Sequence, residues 1–366
     1  MTGLPTIRVA GRVDLAWDSV SSLGAGGVLV GDPLDIRWLT GFTGSAAVLV
    51  VAPRSTLVVD GRYADQAHDQ LAAAACDADV VVAPQGVTID EVAARMVVGA
   101  VGVDPSTTTL DRARRWRESC GATLVEIPSF ARARMVKSPE ELVRIEAAAT
   151  ATDRALAAAP VTVGQSEIAL RNRIEREVRS AGADGPAFDT IVASGPHTAI
   201  PHHRPTERQI REGDVVLVDA GANVDGYRSD MTRTTFVGAV NPQLAHWWLV
   251  VSEAHAAGVA AVGPGATGGD VDRAVRAVFA RHGVEEWCVH GTGHGVGLAI
   301  HEAPWLRRGS VDVLAPDMVV TVEPGLYRKD LGGVRIEDLL VVTARASRYL
   351  THTPKDPPCP PSAPTT

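Results

Sequence analysis

Through the first ~130 residues, short valine-rich runs with no polar interruption alternate with longer stretches of mixed apolar and polar residues. GGVLVG (26–31), AAVLVVA (46–52), STLVVD (55–60), DVVVA (79–83) and VGVD (101–104) are bounded by Gly, Asp and Pro. Such runs predict buried strands. ADQAHDQLAAAA (64–75) and IDEVAARMVVGA (89–100) lie between them and predict helices. Strands alternating with helices predict a small α/β domain over residues 1–132.

The pattern changes at ARARMVKSPEEL. Ser138 is placed to cap a helix, Pro139 suits its first position and Glu141 completes a capping box. From residue 133 to 352 the order of elements then repeats. Helices at roughly 139–159 and 166–181 precede a strand-rich segment from 188 to 238; helices at roughly 242–262 and 269–282 precede another from 287 to 343. Asn241-Pro242 opens the third helix, and Gly182 and Gly283 stand where the second and fourth should stop. Each half carries a closely similar strand, VVLVDAG (215–221) and VVTVEPG (319–325), which aligns Asp219 with Glu323. A second acid follows each, Asp230 after eleven residues and Glu337 after fourteen. The segment predicts an α+β domain with a pseudo-two-fold repeat and four acids between its halves. The Pro-rich end, TPKDPPCPPSAPTT (353–366), is expected to be a disordered tail.

The first acid pair sits in a hairpin whose register can be counted. Asp225-Gly226 is a strong two-residue turn signal, so Val224 should face Tyr227 and Asp219 should face Thr232. Asp230 is then a diagonal neighbour of Asp219 on the same sheet face, ~7–8 Å away at Cα. Two carboxylates so placed can share a pair of metal ions, ~3.5–4 Å apart. Two unpaired carboxylates beside VVLV would each cost several kcal/mol. The alternatives are a protonated carboxyl or pairing with Arg233.

Composition narrows the partners. A net charge of −8 argues against nucleic acid and anionic membrane. Cys76, Cys120, Cys288 and Cys359 form no CxxC pair, which suits a reducing cytoplasm. The first residues show no basic-then-apolar signal pattern, and no apolar run approaches the ~18 residues of a membrane span. Nine of the eleven histidines lie between residues 197 and 301. HGTGHGVGLAIHEAP holds His290, His294 and His301; its glycines disfavour a helical zinc motif, and Val296 breaks the dinucleotide-loop spacing. A Gly-lined approach that lets one imidazole reach a metal accounts for it better. Four acids and one His form a hard-oxygen set suited to Mn²⁺, with Co²⁺ or Zn²⁺ also accepted. Cys288 reads as a packed residue rather than a nucleophile.

These motifs resemble the Xaa-Pro peptidases of the pita-bread metallopeptidase family (M24), aminopeptidase P and prolidase (Xaa-Pro dipeptidase). The resemblance rests on FDTIVASGPHTAIPHHRPT, VDAGANVDGYRSDMTRT, HGTGHGVGLAIHEAP, TVEPG and GGVRIED in that order, and on DIRWLTGFTGS and VVDGRYADQA in the first half. It implies a creatinase-like α/β N-terminal domain followed by a pita-bread catalytic domain. It also implies the metal ligands Asp219, Asp230, His294, Glu323 and Glu337, with Asp230 and Glu337 bridging two ions. A water between the ions would supply hydroxide to the carbonyl before proline, with Glu323 shuttling its proton. His202 and His301 would contact substrate and stabilise the tetrahedral intermediate, and His290 and Arg335 would line the site. His290 bonded to core backbone and Arg335 paired with an acid are the plainer alternatives. Asp35, Trp38 and His197 depart from common family residues, near presumed interdomain or substrate-facing surfaces. Arg37 is a candidate reader of a dipeptide's carboxylate. A homodimer acting on small proline-containing peptides is implied. The rival readings are a binding module, or a non-prolyl amidohydrolase or peptidase, on the same fold.

Overall fold

A computed structural model describes residues 3–239 and 241–356. The chain divides into two compact units, one formed by Pro5–Arg134 and the other chiefly by residues from Met135 onward.

In the first unit the five valine-rich runs are strands: β1 (Gly27–Val30), β2 (Ala47–Val51), β3 (Thr56–Val59), β4 (Asp79–Val82) and β5 (Val101–Val103). With β6 (Leu124–Glu126) they form one mixed sheet in the order β4-β3-β2-β1-β5-β6. Burial on both faces explains the uninterrupted runs of β1, β2, β3 and β5, whereas β4, at the sheet edge, is only half-buried and exposes Val82, contrary to the expectation of a buried strand. Val28, Val30, Leu49, Val51, Leu57 and Val59 enter one core, while Leu29, Val48, Val50, Val58, Val101 and Val103 enter another. That is the period-two alternation of a sheet with both faces covered. The helices are α1 (Arg12–Val20), α2 (Pro33–Thr40), α3 (Ala64–Ala74), α4 (Ile89–Met96) and α5 (Leu110–Cys120). Of these the apolar pattern predicted only α3 and α4. Asp35 is no surface residue: it is fully buried and ion-pairs with Arg134 within the unit. Trp38 lies under the Arg12 guanidinium, and Arg37 sits half-buried on α2.

The second unit opens with α6 (Pro139–Ala158), whose capping box joins Ser138 and Glu141 reciprocally. Such a cap is worth ~1 kcal/mol. Then come α7 (Glu167–Ser180), β7 (Gly185–Pro186), β8 (Ile191–Ser194), β9 (Val215–Ala220), β10 (Ala222–Val224), β11 (Tyr227–Arg228) and β12 (Met231–Phe236). The second half runs α8 (Pro242–Ala261), α9 (Gly268–Arg281), β13 (Gly293–Gly295), β14 (Glu302–Leu306), β15 (Val319–Val322), β16 (Gly325–Arg328), β17 (Gly332–Arg335), β18 (Asp338–Val342) and β19 (Ser347–Tyr349). Helix α6 packs on α7 and α8 on α9. Gly182 and Gly283, both at positive φ, follow α7 and α9.

Each half is built on one long hairpin that breaks partway along. β9 and β12 pair beside β8, and their continuations β10 and β11 pair beside β7. The turn is the two-residue type, with Asp225 at φ 45° and Gly226 at φ 75°. Val224 faces Tyr227 and Asp219 faces Thr232, so the counted register holds across the break. In the second half β15 pairs with β18 and β16 with β17. Val322 faces Asp338 and Gly325 faces Arg335, which sets Glu323 opposite Glu337 at the break.

The Pro-rich end begins later than expected. The Thr353 carbonyl accepts from Arg233 Nε and Nη2 at 2.9 and 2.7 Å, and Lys355 Nζ lies 2.6 Å from Asp338. Residues 353–355 are therefore tied to the sheets rather than to a free tail. The remainder of the expected tail, from 357, lies outside the described residues, as does Cys359.

Candidate metal centre

The two hairpin breaks bring four acids to one cavity of about 740 Å³. Asp219, Asp230, Glu323 and Glu337 line it together with His202, His290, His294, His301 and Arg335. Period two explains the convergence. Asp219 and Asp230 share a face as diagonal neighbours, and Glu323 and Glu337 share one as direct opposites.

His294 enters on β13, a three-residue strand between β14 and β15. A Cβ on Gly293 would stand 2.1 Å from the Thr321 carbonyl oxygen, and one on Gly295 2.3 Å from that of Ala303. Only glycine permits both approaches. The imidazole donates from Nδ1 to the Gly295 carbonyl at 3.1 Å, which fixes its tautomer. Its Nε2 lone pair then faces Glu323 at 3.4 Å and Asp230 at 3.7 Å. Burial lowers the His294 pKa, so the ring is neutral and free to ligate.

The acids are buried side by side and repel one another. Burial, reinforced by Glu337 and Asp219, raises Asp230 well above the ordinary range. Burial, with Glu323 and Asp219, does the same to Glu337, and burial raises Glu323. Asp219 Oδ2 takes one charge-assisted bond from Arg335 Nη2 at 2.6 Å, while its buried Oδ1 has no hydrogen-bond partner. Asp230, His294 and Glu337 each place a ligand atom within 4.8 Å of the others. An orphaned buried oxygen, mutually repelling carboxylates and one neutral imidazole fit divalent cations by charge and by donor type. Arg233 is not their counterion, since it pairs with Asp338 at 2.7 Å.

Of the remaining site residues Arg335 is buried and His290 half-buried, while His202 and His301 are exposed at the cavity. Arg335 donates from Nε to Thr232 Oγ1 at 2.9 Å and from Nη1 to Tyr327 Oη at 2.8 Å. Thr232 Oγ1 in turn donates to Glu337 at 2.7 Å. His290 bonds the Gly291 carbonyl through Nδ1 at 2.7 Å and Tyr327 Oη through Nε2 at 2.9 Å. Both plainer alternatives, His290 on backbone and Arg335 on an acid, are therefore realised at the cavity wall. His301 stacks edge-on to His294 with centroids 4.4 Å apart. Burial, then His294 and His202, lower its pKa to about 4. Cys288 is half-buried, and burial raises its thiol pKa, which keeps it protonated.

Tyr327 and Thr232 were missed as site residues, and each left a signal. Thr232 faces Asp219 in the counted register. Tyr327 is four residues beyond Glu323, and the pairing register carries across the break between them, so the two keep the same parity. Its ring reaches Arg335 because Gly325 carries no side chain: a Cβ there would stand 2.4 Å from Tyr327 Oη.

Comparison with known proteins agrees with this geometry. The metallopeptidase family M24 model matches residues 143–344, and the creatinase/prolidase N-terminal domain model matches 12–136. An uncharacterized peptidase of Bacillus subtilis is 37% identical over 343 residues, spanning 91% of this chain and 96% of its own. An Xaa-Pro dipeptidase of Pyrococcus furiosus is 39% identical over 225 residues, spanning 61% of this chain and 65% of that enzyme, just under two thirds. Among solved structures, an Xaa-Pro dipeptidase from Bacillus anthracis superposes with a TM-score of 0.91 at 33% identity. It covers 95% of this chain and 99% of its own.

Proposed function

The chain belongs to metallopeptidase family M24, and on that premise we propose that it is an Xaa-Pro peptidase using two divalent ions, manganese by preference. The observation that carries this reading is the complete donor set on one cavity: four carboxylates and a neutral imidazole whose free nitrogen faces two of them. A binding module has no need of that set.

In this reading Asp219, Asp230, His294, Glu323 and Glu337 would hold the two ions. Ions held there would supply Lewis-acid chemistry: a more acidic water and a polarised carbonyl at the bond before proline. Glu323, which lines the same cavity, would take the proton and deliver it to the leaving proline nitrogen. His202 and His301 face the cavity, where His301, neutral near pH 7, donates a hydrogen bond to the oxyanion of the tetrahedral intermediate. His290 and Arg335 shape the wall, and Arg335 holds Asp219 in place.

Arg171, Arg204 and Arg307 also line the cavity, alongside Phe188, Ile191 and Trp305. Cationic groups beside apolar ones favour a proline ring followed by a free carboxylate, so dipeptides are the preferred substrates. Three unpaired cysteines, Cys76, Cys120 and Cys288, support a reducing cytoplasmic location. Among the described residues no helix is long and apolar enough to cross a membrane. A homodimer is the assembly the family resemblance supports.

The test is hydrolysis of Ala-Pro, Ala-Pro-Ala and Ala-Ala by chelator-stripped protein, with and without Mn²⁺. The expected outcome is Mn²⁺-dependent cleavage of Ala-Pro, slower cleavage of the tripeptide and none of Ala-Ala. Binding of two ions without cleavage of either proline peptide would overturn the reading.

A further inference from the structure

A second cluster of titratable groups, outside the ion ligands, surrounds the first residue of α7. Glu167 is fully buried, and six donors converge on its carboxylate. Oε1 accepts from Ser194 N at 2.8 Å, Ser194 Oγ at 2.7 Å and His197 Nδ1 at 2.9 Å. Oε2 accepts from His203 Nε2 at 2.9 Å, Thr206 N at 3.0 Å and Thr206 Oγ1 at 2.8 Å. One oxygen thus holds the start of the segment 194–206, and the other holds its end. The His197 and His203 rings lie against each other with centroids 4.3 Å apart. The trio has the spacing of metal ligands. Each carboxylate oxygen already accepts three hydrogen bonds, however, which leaves no lone pair for a cation.

The segment so closed carries His202. His203 is buried against Glu167, whereas its chain neighbour His202 is exposed and lines the cavity. The middle of the segment also meets strand β17 of the second hairpin. Thr198 Oγ1 accepts from Gly333 N at 2.9 Å, and the Pro201 carbonyl accepts from Arg335 Nη1 at 3.3 Å.

We propose that Glu167 is a positioning residue, whose carboxylate locks both ends of the 194–206 segment and so fixes the direction in which His202 meets the substrate. This rests on the peptidase reading for the substrate, but not for the locking itself. Only an ionised carboxylate serves six donors. Burial alone would raise the Glu167 pKa, yet the bonds from His203, Ser194, His197 and Thr206 outweigh it and hold it at about 2. The isosteric Glu167→Gln presents an amide NH₂ to one set of three donors, so one end of the segment loses its acceptor.

The experiment compares Mn²⁺-loaded wild type, Glu167→Gln, His202→Ala and the double variant. It measures bound ions, hydrogen exchange over 194–206 and Ala-Pro hydrolysis. Glu167→Gln should keep both ions, exchange at least about tenfold faster within 194–206 alone, and lose about 10- to 100-fold in kcat/KM, the scale of a misplaced catalytic group. In the His202→Ala background the same substitution should cost less than about twofold, because non-additivity marks residues acting as a unit. Unchanged exchange, loss of ions, or fully multiplicative rate losses would each overturn the proposal. If wild type leaves Ala-Pro intact, the peptidase reading fails, and the exchange result still decides the locking. Should Glu167→Gln not fold, Glu167→Asp, which keeps the charge but is too short to reach both ends, is expected to loosen one end in the same assay.

Discussion

The two hairpins of the second unit solve one problem with different parts. The first turns tightly at Asp225-Gly226 and offers two aspartates as diagonal neighbours. The second takes a longer turn between β16 and β17 and offers two glutamates as direct opposites. Spacings of eleven and fourteen residues give the same result because what matters is the shared face, and any register that keeps the parity will do. The difference lies in reach. Diagonal partners are ~7–8 Å apart at Cα and opposite ones ~4.5–5.5 Å, so side-chain length and backbone separation vary independently around one site.

The hairpins also support each other. Thr232 of the first donates to Glu337 of the second, and Arg335 of the second donates to Asp219 of the first. The neighbouring residues repeat the exchange. Glu337 N donates to the Thr232 carbonyl at 3.1 Å, Arg233 Nη1 to the Glu337 carbonyl at 2.5 Å, and Thr234 Oγ1 to the Arg335 carbonyl at 2.7 Å. Neither acid pair is held by its own hairpin alone.

The sharpest way to break the equivalence is to remove one acid from either side. Asp230→Ala and Glu337→Ala should each lose bound metal and about 10³-fold or more in Ala-Pro hydrolysis, since each removes a proposed ligand that no neighbour can replace. Metal analysis beside the rate assay checks this; a large loss on one side only would show that the hairpins are not equivalent. A smaller effect is expected from Thr232→Val, which cuts the tie from the first hairpin to the second. It should cost about 1–3 kcal/mol of stability in denaturant unfolding and about tenfold in rate with ions retained. The smallest effect belongs to the turn itself. Gly226→Ala places a side chain at φ 75° and should cost about 1 kcal/mol, while kcat/KM stays within about twofold. A rate loss there as large as that of Thr232→Val would mean that the turn, and not the face, sets the acids.

Much of this site could be read before any coordinates because its determinants are local. The turn at Asp225-Gly226 fixes a register, the Ser138 box starts a helix, and VVLVDAG against VVTVEPG pairs the halves. What escaped depends on distant parts or on weak patterns. Helix α5 buries Trp116 alone, so it shows no apolar stripe to find. Helix α2 is eight residues long and is fixed mostly by the Asp32 cap and Pro33. Tyr327 reaches the site only through the room left at Gly325. Glu167 reads as an ordinary helix-start acid until the folded chain gathers Ser194, His197, His203 and Thr206 around it. Residues 353–355 look like a linker by composition, and only the placement of Arg233 and Asp338 binds them.

The cross-bracing has a consequence for how the protein is born. The first half supplies two of the five proposed ligands and the second supplies three, and each half steadies the other's. A nascent chain that has folded only its first half holds two carboxylates without their braces, too few for tight capture of an ion. If those five residues are the ligands, hydrolytic power would be withheld until the last strands dock, and ion uptake would certify completed folding.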